Sequence, residues 1–401
     1  MRLLKLVVKG AGLFSGDSFS MDFFAADRVA GKGDPFFNNV FRLGDAGSIY
    51  SQNVVAISGV NASGKTTALK IISAVLELLL VPYEMRSHHM GRIIPAKMSE
   101  RFSVQAIFWN EGEFYLLESD LKLSKGAEES NTFNWFRIED EILWLLDTQR
   151  PNKSMIADPK VFKDNASIML KRNGSAGDKA AVSSEARKFL RDTVSIVVAV
   201  DVSSKESGEI FELDDVLRTS HATEVVHAFD SSVELLSWDS KLDAFHLKYV
   251  GEPERIVSER TVREMLSEGT VVGIGMVERA LIQLRIGGFL LIDEIEYGLN
   301  KSLIKSFIEL FQSHTTNPHG AQLIFTTHYI ELLDYLPRKD NVFLLVRNKE
   351  FATDVVKYSD RIPRIENKKS EVVLANAIKG VMPSYPEVEG LRAYARGFVS
   401  E

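Results

Sequence analysis

The sequence predicts an α/β fold: a mixed sheet flanked by helices, joined to an antiparallel β lobe and a mainly helical insertion. Three observations lead there. Asn53–Ser58 is a short apolar run of the kind that forms a buried parallel strand. A glycine-rich turn follows it, then helical spacing over Thr66–Leu80 that Pro82 stops. Two similar runs, Gly288–Asp293 and Gln322–Thr327, are separated by an amphipathic stretch, Ser302–Ser313. Between these regions, Phe102–Trp109 and Glu113–Leu117 alternate around Asn110-Glu111-Gly112, which is the pattern of a hairpin.

In chain order, Leu3–Val8 and Phe19–Phe24 read as strands, and residues 25–50 as loop. Phe133–Leu146 continues the hairpin sheet, with polar loops over 120–132 and 147–185. Ser184–Val200 and Asp214–Ser237 read as mainly helical. Thr261–Leu266 leads into Ser267-Glu268-Gly269 and a helix that reaches Arg285. Tyr329–Tyr335 is expected as a short helix, Asn341–Arg347 and Ala352–Tyr358 as strands, and Glu371–Lys379 as helix. The tail from Val381 is mixed. The expected organisation is an N-terminal part of a core (1–82), a β-hairpin lobe plus helical insertion (83–250), a C-terminal part of the core (251–365) and a tail (366–401). No internal repeat or sustained heptad run is present.

Composition narrows the chemistry. The 401 residues carry a net charge of -7, so any nucleic-acid site must be a local basic patch and not a global field. The absence of cysteine excludes disulfides, thiolate zinc sites and a cysteine nucleophile. The opening residues are too short and too charged to form a leader, and no apolar run approaches the roughly 20 residues that span a bilayer. A cytoplasmic protein without a membrane partner is expected.

The strongest chemical signal is Gly59-Val60-Asn61-Ala62-Ser63-Gly64-Lys65-Thr66-Thr67, which fits G-x-x-x-x-G-K-[ST]. Glycines let such a loop wind so that successive N–H groups point at phosphate oxygens, and the following helix adds its positive end. Lys65 is placed for the β- and γ-phosphates of ATP, and the Thr66 hydroxyl for Mg²⁺. Phe289-Leu290-Leu291-Ile292-Asp293-Glu294 would deliver two carboxylates to a sheet edge, Asp293 for Mg²⁺ and Glu294 to polarise the attacking water. Glu296 is the next candidate base. Leu323–His328 ends another apolar run in a histidine, 34 residues beyond Glu294, where it could donate to a γ-phosphate. Ser267 and Gly269, at a helix start 24 residues before Asp293 in the case of Gly269, form either an anion nest or an ordinary N-cap.

The order of these four motifs resembles the ABC-type ATPase superfamily. More narrowly, "LIDEIEYGLNKSL", "FTTHYIELLD" and "LLKLVVKGAGLF" resemble the AAA-type, SMC-related ATP-binding proteins common in prokaryotic anti-phage and abortive-infection loci. The resemblance covers about the first 80 residues and 250–350, and it implies an ABC/SMC-like P-loop ATPase core. It also implies that Ser267 and Gly269 act on the nucleotide held by a partner subunit, in an ATP-sandwich dimer or a higher homo-oligomer. Leu266-Ser267-Glu268-Gly269-Thr270 departs from the transporter signature, and Asn300 stands where many relatives carry histidine. Gln105 is the one tempting Q-loop glutamine, although an inward strand position suits it nearly as well. Val388-Glu389-Gly390 faintly resembles the start of a Toprim nuclease, but too little chain follows it for such a domain. The implied role is regulation of a separately encoded effector in defence. A DNA-associated repair or recombination ATPase is the alternative, and a transporter subunit a weaker one. Nucleic acid remains a possible ligand; DNA stimulation, membrane association or a soluble co-purifying effector would discriminate the three.

Overall fold

A computed structural model describes residues 1–30, 39–44, 48–80, 98–125, 134–148, 150–172, 194–199, 209–210, 223–362, 368–381 and 385–400. Its centre is a mixed sheet in the order β10-β14-β15-β5-β16-β17. The strands are β5 (Val54–Gly59), β10 (Glu209–Ile210), β14 (Phe289–Ile292), β15 (Gln322–Thr327), β16 (Val342–Arg347) and β17 (Thr353–Lys357). All neighbouring pairs are parallel except β16–β17. The chain leaves β5, returns beside it as β15, then crosses to its other side as β16. The strand order therefore switches at β5, and in open α/β sheets ligands bind at such a switch, beyond the C-terminal strand ends.

β5 is unbroken in its apolar character because both its faces are covered. Val55 and Ile57 join a core with the helix Lys65–Leu80. Val54 and Ala56 face the other way, toward the helices Glu268–Ile286 and Lys301–Gln312. The second of these buries Ile304, Phe307, Ile308 and Phe311, the i, i+3, i+4, i+7 stripe expected of an amphipathic helix.

A second sheet, antiparallel throughout, runs β2-β1-β6-β7-β8-β9. It comprises β1 (Arg2–Ala11), β2 (Ser18–Asp22), β6 (Met98–Asn110), β7 (Glu113–Lys125), β8 (Asn134–Leu146) and β9 (Ala166–Lys171). One of its faces shares the core around the helix Lys65–Leu80, so that helix lies between the two sheets. A small pair, β3 (Val40–Arg42) and β4 (Tyr50–Gln52), adjoins it. A third sheet, β11 (Val233–Asp239), β12 (Ala244–Tyr249) and β13 (Arg255–Val257), shares a separate core with Val262, Leu266, Val271 and Ile274. That core anchors the start of the helix Glu268–Ile286. At Gly273 an added Cβ would stand 2.1 Å from a Phe229 ring atom, so the close approach there requires glycine. Among the described residues, no helix is long and apolar enough to cross a membrane.

Several sequence expectations need correction. Residues 120–125, read as loop, extend β7, and their backbone pairs along β8. The loop expected over 147–185 contains the helices Lys153–Ala157 and Pro159–Asp164 and the strand β9; residues 173–185 lie outside the described set. Asp158 caps the second of these helices by accepting from the Lys160 N–H at 2.8 Å, a signal hidden in a polar stretch. The helices expected over Ser184–Val200 and Asp214–Ser237 are described only at Ile196–Ala199 and Thr223–Phe229. Residues 233–237 belong to β11, because Val233 and Leu236 pack with Phe245 and Leu247 across a hairpin. The mixed tail contains a helix, Tyr385–Ser400.

Candidate nucleotide-binding site

Three strand ends supply the site. β5 ends at Gly59, whose φ of 153° and surroundings suit only glycine: a Cβ there would meet Leu345 O at 2.4 Å. Gly64 is restricted by its backbone, at φ 96°, while the atom its Cβ would meet, Leu13 Cδ2 at 2.6 Å, is the end of a flexible side chain. Between them Ala62 adopts φ 58°, and Ser63 N–H donates to Val60 O at 3.2 Å. Asn61 and Ala62 are exposed and Thr67 is half-buried at the helix start.

Lys65 is buried at the base of this loop. Its ammonium donates to Gly59 O at 2.9 Å and Val60 O at 3.1 Å, and lies 3.3 Å from His328 Nδ1. Burial lowers its pKa below the usual lysine value, against the opposing pull of Glu294, Asp293 and Glu296. The neighbouring Thr66 hydroxyl donates to Asp293 Oδ2 at 2.7 Å. Two loops 227 residues apart thus meet at the oxygens of one hydroxyl–carboxylate pair.

Thr326 on β15 fixes both acids. Its hydroxyl donates to Asp293 Oδ1 and accepts from the Glu294 N–H at 2.7 Å. Glu294 has φ 51°, a conformation uncommon for a residue with a side chain, and it places the carboxylate Oε1 3.3 Å from His328 Nε2. The His328 N–H in turn donates to Glu296 Oε1 at 2.5 Å. Ser58 Oγ donates to Thr327 O at 3.0 Å, locking β5 to β15 beneath the site.

The outer rim of the loop is held from the other side. Arg347, at the end of β16, donates to Ala62 O from Nη2 at 2.8 Å and from Nε at 3.1 Å. Thr353, opening β17, donates its hydroxyl to Ser63 O at 2.9 Å and its N–H to Leu13 O at 2.9 Å. Sequence reading missed Thr326, Arg347 and Thr353. Only the pattern of polar residues ending apolar strands could have flagged Thr326, and nothing local marks the other two.

Lys65, Thr66, Asp293, Glu294 and His328 therefore converge. Ser267 and Gly269 do not join that hydrogen-bonded cluster directly. Ser267 is exposed and caps the helix Glu268–Ile286, accepting from the Thr270 N–H at 3.0 Å. Gly269 packs so closely on the loop after Glu294 that a Cβ would meet Gly298 O at 2.1 Å. Tyr297 OH adds a 2.7 Å bond to Glu268 Oε1. Gln105 lies half-buried on β6, on the strand face opposite core residues Val104 and Ala106, and donates to Glu118 Oε1 on β7 at 2.8 Å.

The donor set suits a magnesium–triphosphate. Glycines at 59 and 64 keep the cradle open, the buried Ser63 hydroxyl has no hydrogen-bond partner among the described residues, and Thr66 and Asp293 present hard oxygen ligands side by side. A protein-family model described as "AAA domain, putative AbiEii toxin, Type IV TA system" matches residues 54–334, well over half of the chain. No curated protein matches. Among solved structures, the SMC head domain from Thermotoga maritima is similar at 15% identity and a TM-score of 0.39, with 89% of this chain and 99% of that chain covered.

Proposed function

The chain belongs to the AAA-domain family whose model spans residues 54–334, and on that premise we propose that it is an ATP-binding and hydrolysing molecular switch of ABC/SMC type. The observation that carries this reading is the convergence of Lys65, Thr66, Asp293, Glu294 and His328 at one sheet edge. On this reading Gly59, Asn61, Ala62, Ser63, Gly64, Thr66 and Thr67 surround the phosphates, and Lys65 exchanges its loop carbonyls for β- and γ-phosphate oxygens. Mg²⁺ held by Thr66 and Asp293 would neutralise charge on those oxygens. Glu294 orients the attacking water and accepts its proton as the γ-phosphorus gains that oxygen and releases ADP. His328, steered by Glu294 and by the Glu296 bond to its backbone, donates to the γ-phosphate.

Ser267 and Gly269 are assigned to the nucleotide of a partner subunit, in an ATP-dependent homodimer or higher oligomer. The exposure of Ser267 supports that assignment, and so does its helix start being braced on the loop that follows Glu294. ATP would then join the cores, and hydrolysis would release them. Residues 1–82 and 251–365 are read as the two parts of the core, 83–250 as the lobe and insertion, and 366–401 as a tail. The family's description, a putative toxin of a type IV toxin–antitoxin system, supports a role in prokaryotic defence. In that role the cycle regulates a separately encoded effector.

The test is hydrolysis and association measured together. Wild type should hydrolyse Mg-ATP slowly. Glu294→Gln should keep binding it, lose turnover and accumulate in the associated state in light scattering. Normal turnover by Glu294→Gln would remove the base from this position, and undiminished ATP binding by a folded Lys65→Ala would remove the site itself.

A further inference from the structure

The groups that meet the γ end of a nucleotide all stand on one side of β5. Asp293 and Glu294 follow β14, and His328 follows β15. A triphosphate lying along the Gly59–Thr67 loop with its γ end toward them must carry its base away from β15. That direction leads past β16, on the other flank of β5.

The turn from β16 to β17 stands there. Leu345 pairs with Gly59, so Arg347 and the turn 348–352 project beyond the strand edge where the loop begins. Phe351 sits in this turn with 79% of its surface exposed. Its φ is 60°, a conformation that bulky residues rarely adopt. The mount is rigid. Asn348 Oδ1 accepts from the Glu350 and Ala352 N–H groups, both at 3.0 Å, and Asn348 Nδ2 donates to Ser15 Oγ at 3.0 Å. Arg347 bonds to Phe351 O with one nitrogen and to Ala62 O with two others. One guanidinium therefore links the exposed aromatic to the rim of the phosphate loop.

Other exposed aromatics near the site are occupied. Tyr329 has the Lys301 ammonium 5.2 Å from its ring centre, and Tyr297 is tied to Glu268. Phe351 makes no ring or cation contact with the described residues. An apolar ring held in water by a strained, fully bonded turn is a stacking surface awaiting a flat partner.

We propose that Phe351 is the base-stacking platform of the nucleotide site, with Arg347 coupling it to the phosphate loop. This rests on the ATP reading above, and the assay separates the two. Binding of Mg-ATP and of magnesium tripolyphosphate, which has no base, is measured by calorimetry for wild type, Phe351→Ala and Phe351→Trp. Phe351→Ala should weaken ATP roughly ten-fold or more, the scale of one lost base–aromatic stack, and leave tripolyphosphate within about two-fold. Phe351→Trp should keep ATP affinity, and its added fluorescence should be quenched by ATP and not by tripolyphosphate. Equal ATP affinity in wild type and Phe351→Ala overturns the platform while the ATP site stands. Equal loss of both ligands also overturns it, since a stack contributes nothing to tripolyphosphate. A wild type that binds neither overturns the ATP reading and the platform with it.

Discussion

Replacing Thr326 by valine tests the joint between the two acids. Thr326 is fully buried, and valine preserves its volume while deleting the hydroxyl. Two bonds go: the one donated to Asp293 Oδ1 and the 2.7 Å bond accepted from the Glu294 N–H. A hydrogen bond to a charged group contributes about 1.5–3 kcal/mol, and a buried amide left unpaired costs about 1–3 kcal/mol. The Glu294 amide is only partly buried, so the lower half of that range applies. The loss should come to about 2.5–5 kcal/mol, a large share of the roughly 5–15 kcal/mol that holds a domain folded. Serine is the control, because it keeps both bonds and loses only a methyl, about 1 kcal/mol. Urea unfolding followed by tryptophan fluorescence gives the stabilities, and Mg-ATP hydrolysis gives the functional effect. Valine should be the less stable of the two and should lose turnover, since Glu294 at φ 51° no longer has its amide fastened. If valine stays within about 0.5 kcal/mol of wild type while serine loses more, methyl packing and not the hydroxyl holds this edge, and the reasoning fails.

Ser267→Arg should bind ATP but fail to associate or hydrolyse; mixed with Lys65→Ala, it should recover part of the activity, because a mixed dimer contains one intact site. Recovery absent from the mixture, with only a stability loss of about 1 kcal/mol, would mark Ser267 as a helix cap alone. Gly269→Ala should weaken folding or association despite alanine's better helix propensity, since its Cβ meets Gly298 O at 2.1 Å; thermal melts of the two proteins decide this. Lys369 is buried, which lowers its pKa to about 8 from 10.5. The unfolded chain then holds that proton more tightly between those values, so stability relative to Lys369→Met should rise as pH increases from about 8 to 10.5. A difference that is flat over that window in urea titrations would contradict the burial argument.

Much of the site was legible because its chemistry is written in consecutive residues. Gly59, Gly64, Lys65 and Thr66 fall on one turn whose backbone demands are local, and the apolar runs before Asp293 and His328 betray buried strands by composition alone. The hairpin of β6 and β7 was legible for the same reason, since its turn residues separate two alternating segments. The helix capped by Asp158 was not, because a cap in a polar stretch looks like any other loop residue. Nor was the tail helix Tyr385–Ser400, where Leu391, Tyr394 and Phe398 keep helical spacing but Gly390 and Gly397, poor helix formers, interrupt the signal.

By itself, then, the sequence determined which strands, loops and side chains this protein carries to one edge of a parallel sheet. Only the tertiary structure decided their partners. Thr326 clasps both acids across 32 or 33 residues, and Arg347 and Thr353 grip the loop across 285 and 290. The side of β5 on which Phe351 stands depends on strand order, which no local period encodes. The physical reason is one of range. Backbone conformation and burial pattern are set by near neighbours, whereas the meeting of distant polar groups follows from how the sheet is threaded.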